Sequence, residues 1–479
     1  MRRLLAMAAV VVPIPFVPVA PVFRGAPARP HPIRGVAPTP QNPFMATNGR
    51  SEIHNDAWQT DTYVRSGPLG GSPRTRSAQL TPTADCGSIT FDRRGRVISV
   101  CVGVAGPTLY MFDAHTLATL ARFSLPPRVL TPGNVFQDFT GGGYFYLDQR
   151  DRVVTATTTR HIYVIAETSG RPGFRLARDL DLSRTLRANE RITSALPDQQ
   201  GRLWFVARNN GVVGTVSFAT GAVHVVRIGR GARGEIENSF ATDEHGGVYI
   251  ASNRRLYRFS AARDGRPRIT WQIAYPNSLE HKPGQVDDGT GTTPTVMPGG
   301  YVSITDNADP MDVVVYRTAN RLRPRQNRLV CRVPVFARGA SDTENSLIGA
   351  GRAMIVENNY GYSGPAAVAS GKLTAAGFAR VDLNRSGTGC RLVWTNRTER
   401  APTVVPKLSL GSGLIYTYTK DRGQSDPWYW TALDFRTGRT VLKRLAGTGT
   451  LYNNNYAGIV LGPDGTEYLG VLGGIISIR

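Results

Sequence analysis

Eight short corners rich in Asp and Gly recur along the chain at roughly fifty-residue intervals, and this period restricts the fold more than any other feature. They are Asp92-Arg93-Arg94-Gly95, Asp148-Gln149-Arg150-Asp151, Asp198-Gln199-Gln200-Gly201, Asp243-Glu244-His245-Gly246, Pro298-Gly299-Gly300, Gly349-Ala350-Gly351, Gly411-Ser412-Gly413 and Pro463-Asp464-Gly465. A short strand leads into each corner and an apolar strand leads out. A polar loop, a third strand and a fourth then follow, as in residues 239–242, 247–251, 256–259 and 269–274. These runs are rich in Val, Ile, Tyr and Phe, and 52 Gly and 32 Pro suit frequent turns better than long helices. The chain is therefore expected to be all-β.

A unit of four antiparallel strands cannot bury both of its faces alone, so such units must stack on one another around an axis. The expected architecture is a single β-propeller of eight four-stranded blades. The long interval between Gly351 and Gly413 leaves seven blades as the alternative, with one corner belonging to an insertion. After Asp464-Gly465 only two more strands fit before Arg479. An N-terminal strand, taken from residues 58–69, is expected to complete that last blade and remove the open edge.

Residues 1–28 have the order of an export signal peptide: Arg2 and Arg3, an apolar run over 4–12, and small residues around Ala26-Pro27-Ala28. Residues 29–57 read as a proline-rich linker and N-terminal segment, and 58–479 as the propeller. No later stretch approaches ~18 uninterrupted apolar residues, so no transmembrane segment is expected and the protein is expected to be secreted. Four cysteines then suggest two disulfides. Cys86 and Cys101 flank one corner and can face each other on adjacent strands, and Cys331 with Cys390 follows by elimination; four buried free thiols are the alternative.

The formal charge is +22, from 52 Arg and five Lys against 35 acidic residues. The basic residues are scattered, with no stripe interleaved with aromatics, which argues against specific nucleic-acid binding. The chain is expected to act as a monomer.

A second element recurs between third and fourth strands. Its best copy is Thr431-Ala432-Leu433-Asp434-Phe435-Arg436-Thr437-Gly438, with degenerate copies at Val216-Ser217-Phe218-Ala219-Thr220-Gly221 and Met111-Phe112-Asp113-Ala114-His115-Thr116. This element resembles the Ala-x-Asp-x-x-Thr-Gly repeat of the quinoprotein alcohol dehydrogenase-like propellers, a superfamily that includes many non-enzymatic members. The resemblance implies a propeller over about residues 85–479. Leu442 stands where the family's tryptophan docks, and the chain has no vicinal cysteine pair. Both features speak against pyrroloquinoline quinone as a cofactor.

In a propeller the corners lie at one end, and the loops entering the first strand and joining the second to the third lie at the other. The second set is rich in oxygen ligands: Asp138, Glu190, Glu237, Asn238, Asp288, Asp306, Glu344, Asn345, Asn358 and Asn454, with His161 beside Arg160. These residues are expected to converge on the mouth of a central channel and to bind a small polar molecule, a glycan or a protein loop. Glu237, Asp288 and Asn345 are candidate ligands for Ca²⁺, which would give a lactonase- or hydrolase-like enzyme as the alternative. The structural alternative is that Asn and Asp occupy these loops because they cap turns. His54 and Asp56, in a polar-aromatic cluster ahead of the propeller, are further acid–base candidates. Tyr360, Tyr362, Trp428, Tyr429 and Trp430 are candidates for stacking on a sugar.

Overall fold

A computed structural model describes residues 27–80, 83–103, 106–128 and 135–479; the reading of an export signal falls almost entirely outside them. At four of the eight corners one carboxylate organises the turn. Oδ1 of Asp92 accepts the backbone N–H groups of Arg94 and Arg96, Asp148 those of Arg150 and Arg152, Asp198 those of Gln200 and Arg202, and Asp243 those of His245 and Gly247. The fourth residue of the corner is left-handed. Gly95, Gly201 and Gly246 occupy it at φ 77°, 78° and 75°, and in the second corner Asp151 does so at φ 57°.

These corners link the first and second strands of eight four-stranded sheets, so the alternative of seven blades is excluded. Blade 1 runs Ala84–Phe91, Val97–Gly103, Gly106–Phe112 and Thr119–Ser124, with each strand antiparallel to the one before. The innermost strands of blades 2 to 7 are Phe145–Leu147, Ile192–Pro197, Ala241–Thr242, Thr295–Met297, Ile348–Ala350 and Lys407–Ser409. Blade 8 contributes Val460–Leu461, Glu467–Val471 and Gly474–Ile478 from the C-terminus. The long interval in blade 6 is an insertion between its second and third strands that carries a short 3-10 helix, Pro365–Val368.

An N-terminal strand does close blade 8, but it is Thr75–Gln79, antiparallel to Gly474–Ile478, and not the segment 58–69. The outer edge of a blade is half solvated. Thr-Arg-Ser-Ala-Gln suits that position, whereas Trp58, Asp61 and Tyr63 are buried. The segment 58–69 instead contributes Thr62–Tyr63, a fifth strand parallel to Lys407–Ser409 on the axial side of blade 7.

Residues upstream of it form a plug across the corner end of the channel. Its carbonyls accept from the innermost strands in turn: Ser51 from Leu147, Ala57 from Thr242, Trp58 from Val296, Thr60 from Gly349 and Asp61 from Leu408, at 2.7–2.9 Å. Asn42 adds a bond to Pro197 O. Residues 42–57 of the stretch read as linker are thus seated on blades 2 to 4, and Trp58, Thr60 and Asp61, read as propeller, on blades 5 to 7, where their backbone groups satisfy strand edges that would otherwise face the channel.

Both disulfides form as paired above. Cys86–Cys101 crosses adjacent strands of blade 1, and Cys331–Cys390 ties the outer strands of blades 5 and 6. Among the described residues no helix is long and apolar enough to cross a membrane.

The Asp corners set a measurable stability term. Asp198 also accepts from Nε1 of the fully buried Trp204 at 2.9 Å. Asp198→Ala leaves an indole N–H and two backbone N–H groups without their acceptor, and is expected to lower the unfolding free energy by about 2–4 kcal/mol in denaturant titration. Asp198→Asn, which keeps an acceptor oxygen in place, is expected to cost less than half as much.

Candidate functional site

The loops at the end opposite the corners do converge. Tyr144, entering blade 2, donates its hydroxyl to Asn238 Oδ1 at 2.9 Å, and Asn238, entering blade 4, donates to Glu344 Oε1 of blade 6 at 3.1 Å. Three blades are thereby joined across the channel. The backbone N–H of Val286 donates to the second oxygen of Glu344 at 2.9 Å. Beside this chain Arg208 lies 2.7 Å from Glu235 and 2.5 Å from Glu237. Burial pushes the Glu344 carboxyl up to about 8, with the nearby Asp287 adding to the rise. Asp287 itself is pushed up to about 7 by burial. A channel lined with acids is tolerable because one Arg is shared and burial raises several of the carboxyls, which favours their neutral form.

To one side of this chain a cavity of about 650 Å³ opens among the loops of blades 8, 1 and 2, with Ile53 and His54 of the plug and Glu344 and Asn345 of blade 6 at its inner end. The plug's backbone bonds described above fall on blades 2 and 4 to 7, and the cavity lies on the side they leave free. One wall is a row of rings in successive edge or tilted contact. Tyr456 meets Phe139 at 5.1 Å between centroids, Phe139 meets Tyr144 at 6.4 Å and Tyr144 meets His54 at 6.3 Å, while the fully buried Tyr362 backs Tyr456 at 5.3 Å without lining the cavity. Val100, Val102, Leu451 and Leu472 are among the other apolar residues of the lining.

The polar part is small and incompletely satisfied. Asp85 accepts from Asn455 Nδ2 at 3.1 Å through Oδ2 while Oδ1 has no partner among the described residues, and Arg128 Nε is likewise unpaired. Asp138 is bonded to Arg191 at 2.7 Å and to Thr140. Burial pushes Asp85 up to about 7, against the opposing pull of Asn455 and Arg128. Arg128 is lowered, first by burial and against the pull of Asp138 and Asp85. Asp85 Oδ1, Arg128 Nε and, at the inner end, His54 Nε2 are thus buried polar atoms of the lining residues that the fold does not use.

Of the residues singled out in the sequence, His54, Asp138, Glu344 and Asn345 line this cavity, and Glu237 and Asn238 lie against its inner end. The rest have structural partners. Glu190 is held by Arg227 and Asn210, and Asp288 by Arg254 and Asn253. Asp306 accepts the N–H groups of Ala308 and Asp312, Asn358 caps Asp342 and Tyr360, and Asn454 donates to Thr403 O and Ala457 O. His161 pairs with Asp179 at 2.7 Å at the start of its strand, outside the cavity. The three calcium candidates turn to different partners, Glu237 to Arg208, Asp288 to Arg254 and Asn345 to Glu357. Among the described residues no three His, Cys, Asp or Glu side chains form a group that could hold a metal. Trp428 and Trp430 are blade core around Tyr418, and Tyr362 is fully buried.

Sequence reasoning missed Asp85, Arg128, Phe139, Tyr144 and Tyr456. Asp85 stands at the start of a first strand, the same blade position as the flagged acids, and that position was the available signal. Arg128 lies beyond the fourth strand of blade 1, in the same loop as Asp138, but one Arg among 52 scattered along the chain carries no compositional mark.

No protein-family model matches the chain. An uncharacterized protein of Archaeoglobus fulgidus is 27% identical over 319 residues, 60% of this chain, and the chain spans 61% of that relative's length. Among solved structures, Sqt1 of Chaetomium thermophilum is 11% identical, with 91% of this chain and 98% of that one covered at a TM-score of 0.50. Streptogramin B lyase is 10% identical, with 85% and 97% covered at 0.43. What Sqt1 shares with this chain is the propeller. Fold alone does not carry function, so the reading that follows rests on the cavity.

Proposed function

We propose that the chain is an exported propeller that binds a small, largely apolar molecule carrying a polar end in the cavity at the channel mouth. The observation that carries this reading is the conjunction of about 650 Å³, an aromatic and aliphatic wall, and two buried polar atoms, Asp85 Oδ1 and Arg128 Nε, without partners among the described residues. The volume lies within the usual range for small-molecule sites. The unpaired donor and acceptor select a group that offers both, such as an amide, a carboxylic acid or an ester with a neighbouring hydroxyl, because leaving either unmet costs about 1–3 kcal/mol. Export is supported by the two disulfides, which persist in oxidising compartments.

A set of aryl amides, aryl carboxylates and aryl esters, followed by the melting temperature of the full chain, tests the site. A fragment that binds the folded form at a hundred times its Kd stabilises it by about 2.7 kcal/mol. Arg128→Ala is expected to weaken such hits at least tenfold. Hits whose affinity is indifferent to both Arg128→Ala and Tyr456→Ala would place binding elsewhere and refute the reading.

A further inference from the structure

His54 sits at the inner end of this cavity on the plug, about 1% exposed. Its Nδ1 lies 3.1 Å from both oxygens of Asp61, and its backbone N–H donates to Glu52 at 2.9 Å. Asp61 is itself fixed by the buried Lys407, which also donates to Ile53 O. A carboxylate can only accept, so in the neutral imidazole Nδ1 carries the hydrogen and Nε2 carries the lone pair. Nε2 has no partner among the described residues. A histidine oriented through one nitrogen by a buried carboxylate, with the other unpaired beside a ligand-sized cavity, has the arrangement of a general base.

We propose that His54, positioned by Asp61, is the acid–base residue of a hydrolytic site for carboxylic esters, lactones included; this rests on the cavity being a ligand site. Nε2 takes a proton from water as the water oxygen adds to the acyl carbon. As the acyl C–O bond breaks, the same proton passes to the departing alkoxide, so one water is consumed and acid and alcohol are released with His54 restored. The neutral, largely apolar wall suits an uncharged acyl compound, and Asp61 with Lys407 stays out of the reaction as positioning residues. The titratable groups around the ring are Glu52, Asp61, Lys407, Tyr144 and Glu344.

The test uses the full chain with phenyl acetate, p-nitrophenyl butyrate and dihydrocoumarin. Turnover above the buffer rate is expected, falling at least 100-fold in His54→Gln with KM little changed. Fragment-induced thermal shifts should persist in His54→Gln. Fragments that bind a wild type inert towards all three esters would overturn the dyad and leave the cavity reading intact, whereas absence of both binding and turnover would overturn both. Should His54→Gln not fold, diethyl pyrocarbonate on the wild type decides instead. Turnover should decay in step with modification of His54 and be protected by a bound fragment. Full turnover with His54 modified, or decay with His54 intact, would overturn the proposal.

Discussion

Replacing Lys407 with methionine is expected to remove about 3–5 kcal/mol of stability, the range for deleting one partner of a buried ion pair. Lys407 and Asp61 are both fully buried and in direct contact, and Lys407 also holds the Ile53 carbonyl. The contact joins the innermost strand of blade 7 to the plug, so its loss acts on the plug as a whole. Methionine fills the volume but leaves Asp61 anionic, buried and supported by His54 alone. Denaturant unfolding should therefore show a lower midpoint. Adding Asp61→Asn should recover part of the loss, because it removes the stranded charge, with a coupling of about 1–3 kcal/mol. A single-mutant effect below about 1 kcal/mol would mean that the backbone bonds to blades 2 and 4 to 7 seat the plug without this pair.

Lys407 belongs to a pattern that composition conceals. The chain uses Arg for nearly all of its positive charge, yet of its five lysines Lys282, Lys407 and Lys420 are buried, and Lys443 bridges Glu399 and Asp421. Lys420 contacts Asp426 at 3.0 Å, and Lys282 donates to the carbonyls of Ala308 and Ser341. A compact ammonium on a flexible stem fits a narrow interior gap between carbonyls, whereas a planar guanidinium needs a wider, forked site. Counting +22 thus said less than asking where the rare lysines lie.

The corners were legible because their chemistry is local. An Asp whose carboxylate caps backbone N–H groups two and four residues on, with a left-handed residue between them, is written within five letters, and four such words among eight regularly spaced corners imply a ring. The same holds for the turn at Asp434, where Oδ1 accepts from Arg436 N and from Thr437 N and Oγ1, and at Asp113, where it accepts from His115 N and the same two atoms of Thr116. The plug was not legible. Its bonds run from carbonyls of residues 51–61 to amides of four later blades and of blade 2, and nothing in a sequence records a partner more than three hundred residues away, as in Asp61 and Leu408. The closing strand was misplaced for a related reason, since buried aromatics at 58–63 resemble strand core while the true outer edge is polar. The candidate site divides the same way: Glu344 and Asn238 were visible as loop acids and amides, but that Asn238 donates to Glu344 while accepting from Tyr144 is a property of the closed ring.

The melting temperature is expected to be highest near pH 5 and to fall steadily towards pH 8, opposite to the usual behaviour of a protein rich in carboxylate salt bridges. Asp85, Asp287 and Asp342 are pushed up to about 7, and Glu344 and Glu357 to about 8, in each case first by burial. In the unfolded chain such groups titrate near 4. Between these values the native state holds protons that the unfolded state has released, so the stabilisation is complete below about pH 4 and is lost as pH rises through 7 to 8. Each unit of difference corresponds to about 1.4 kcal/mol, so five groups realising even a third of their shifts amount to several kcal/mol. Asp138, Glu190 and Asp426 are lowered and act in the opposite sense, which is why stability should also decline in stronger acid and leave a maximum between. Glu357→Gln should flatten the alkaline limb, because the amide keeps an oxygen for the donors Asn345, Asn359 and Val404 N without an ionisable proton. A melting temperature that is level or rising from pH 5 to 8 would show that these carboxyls ionise freely, and the channel would then have to be far wetter than its packing indicates.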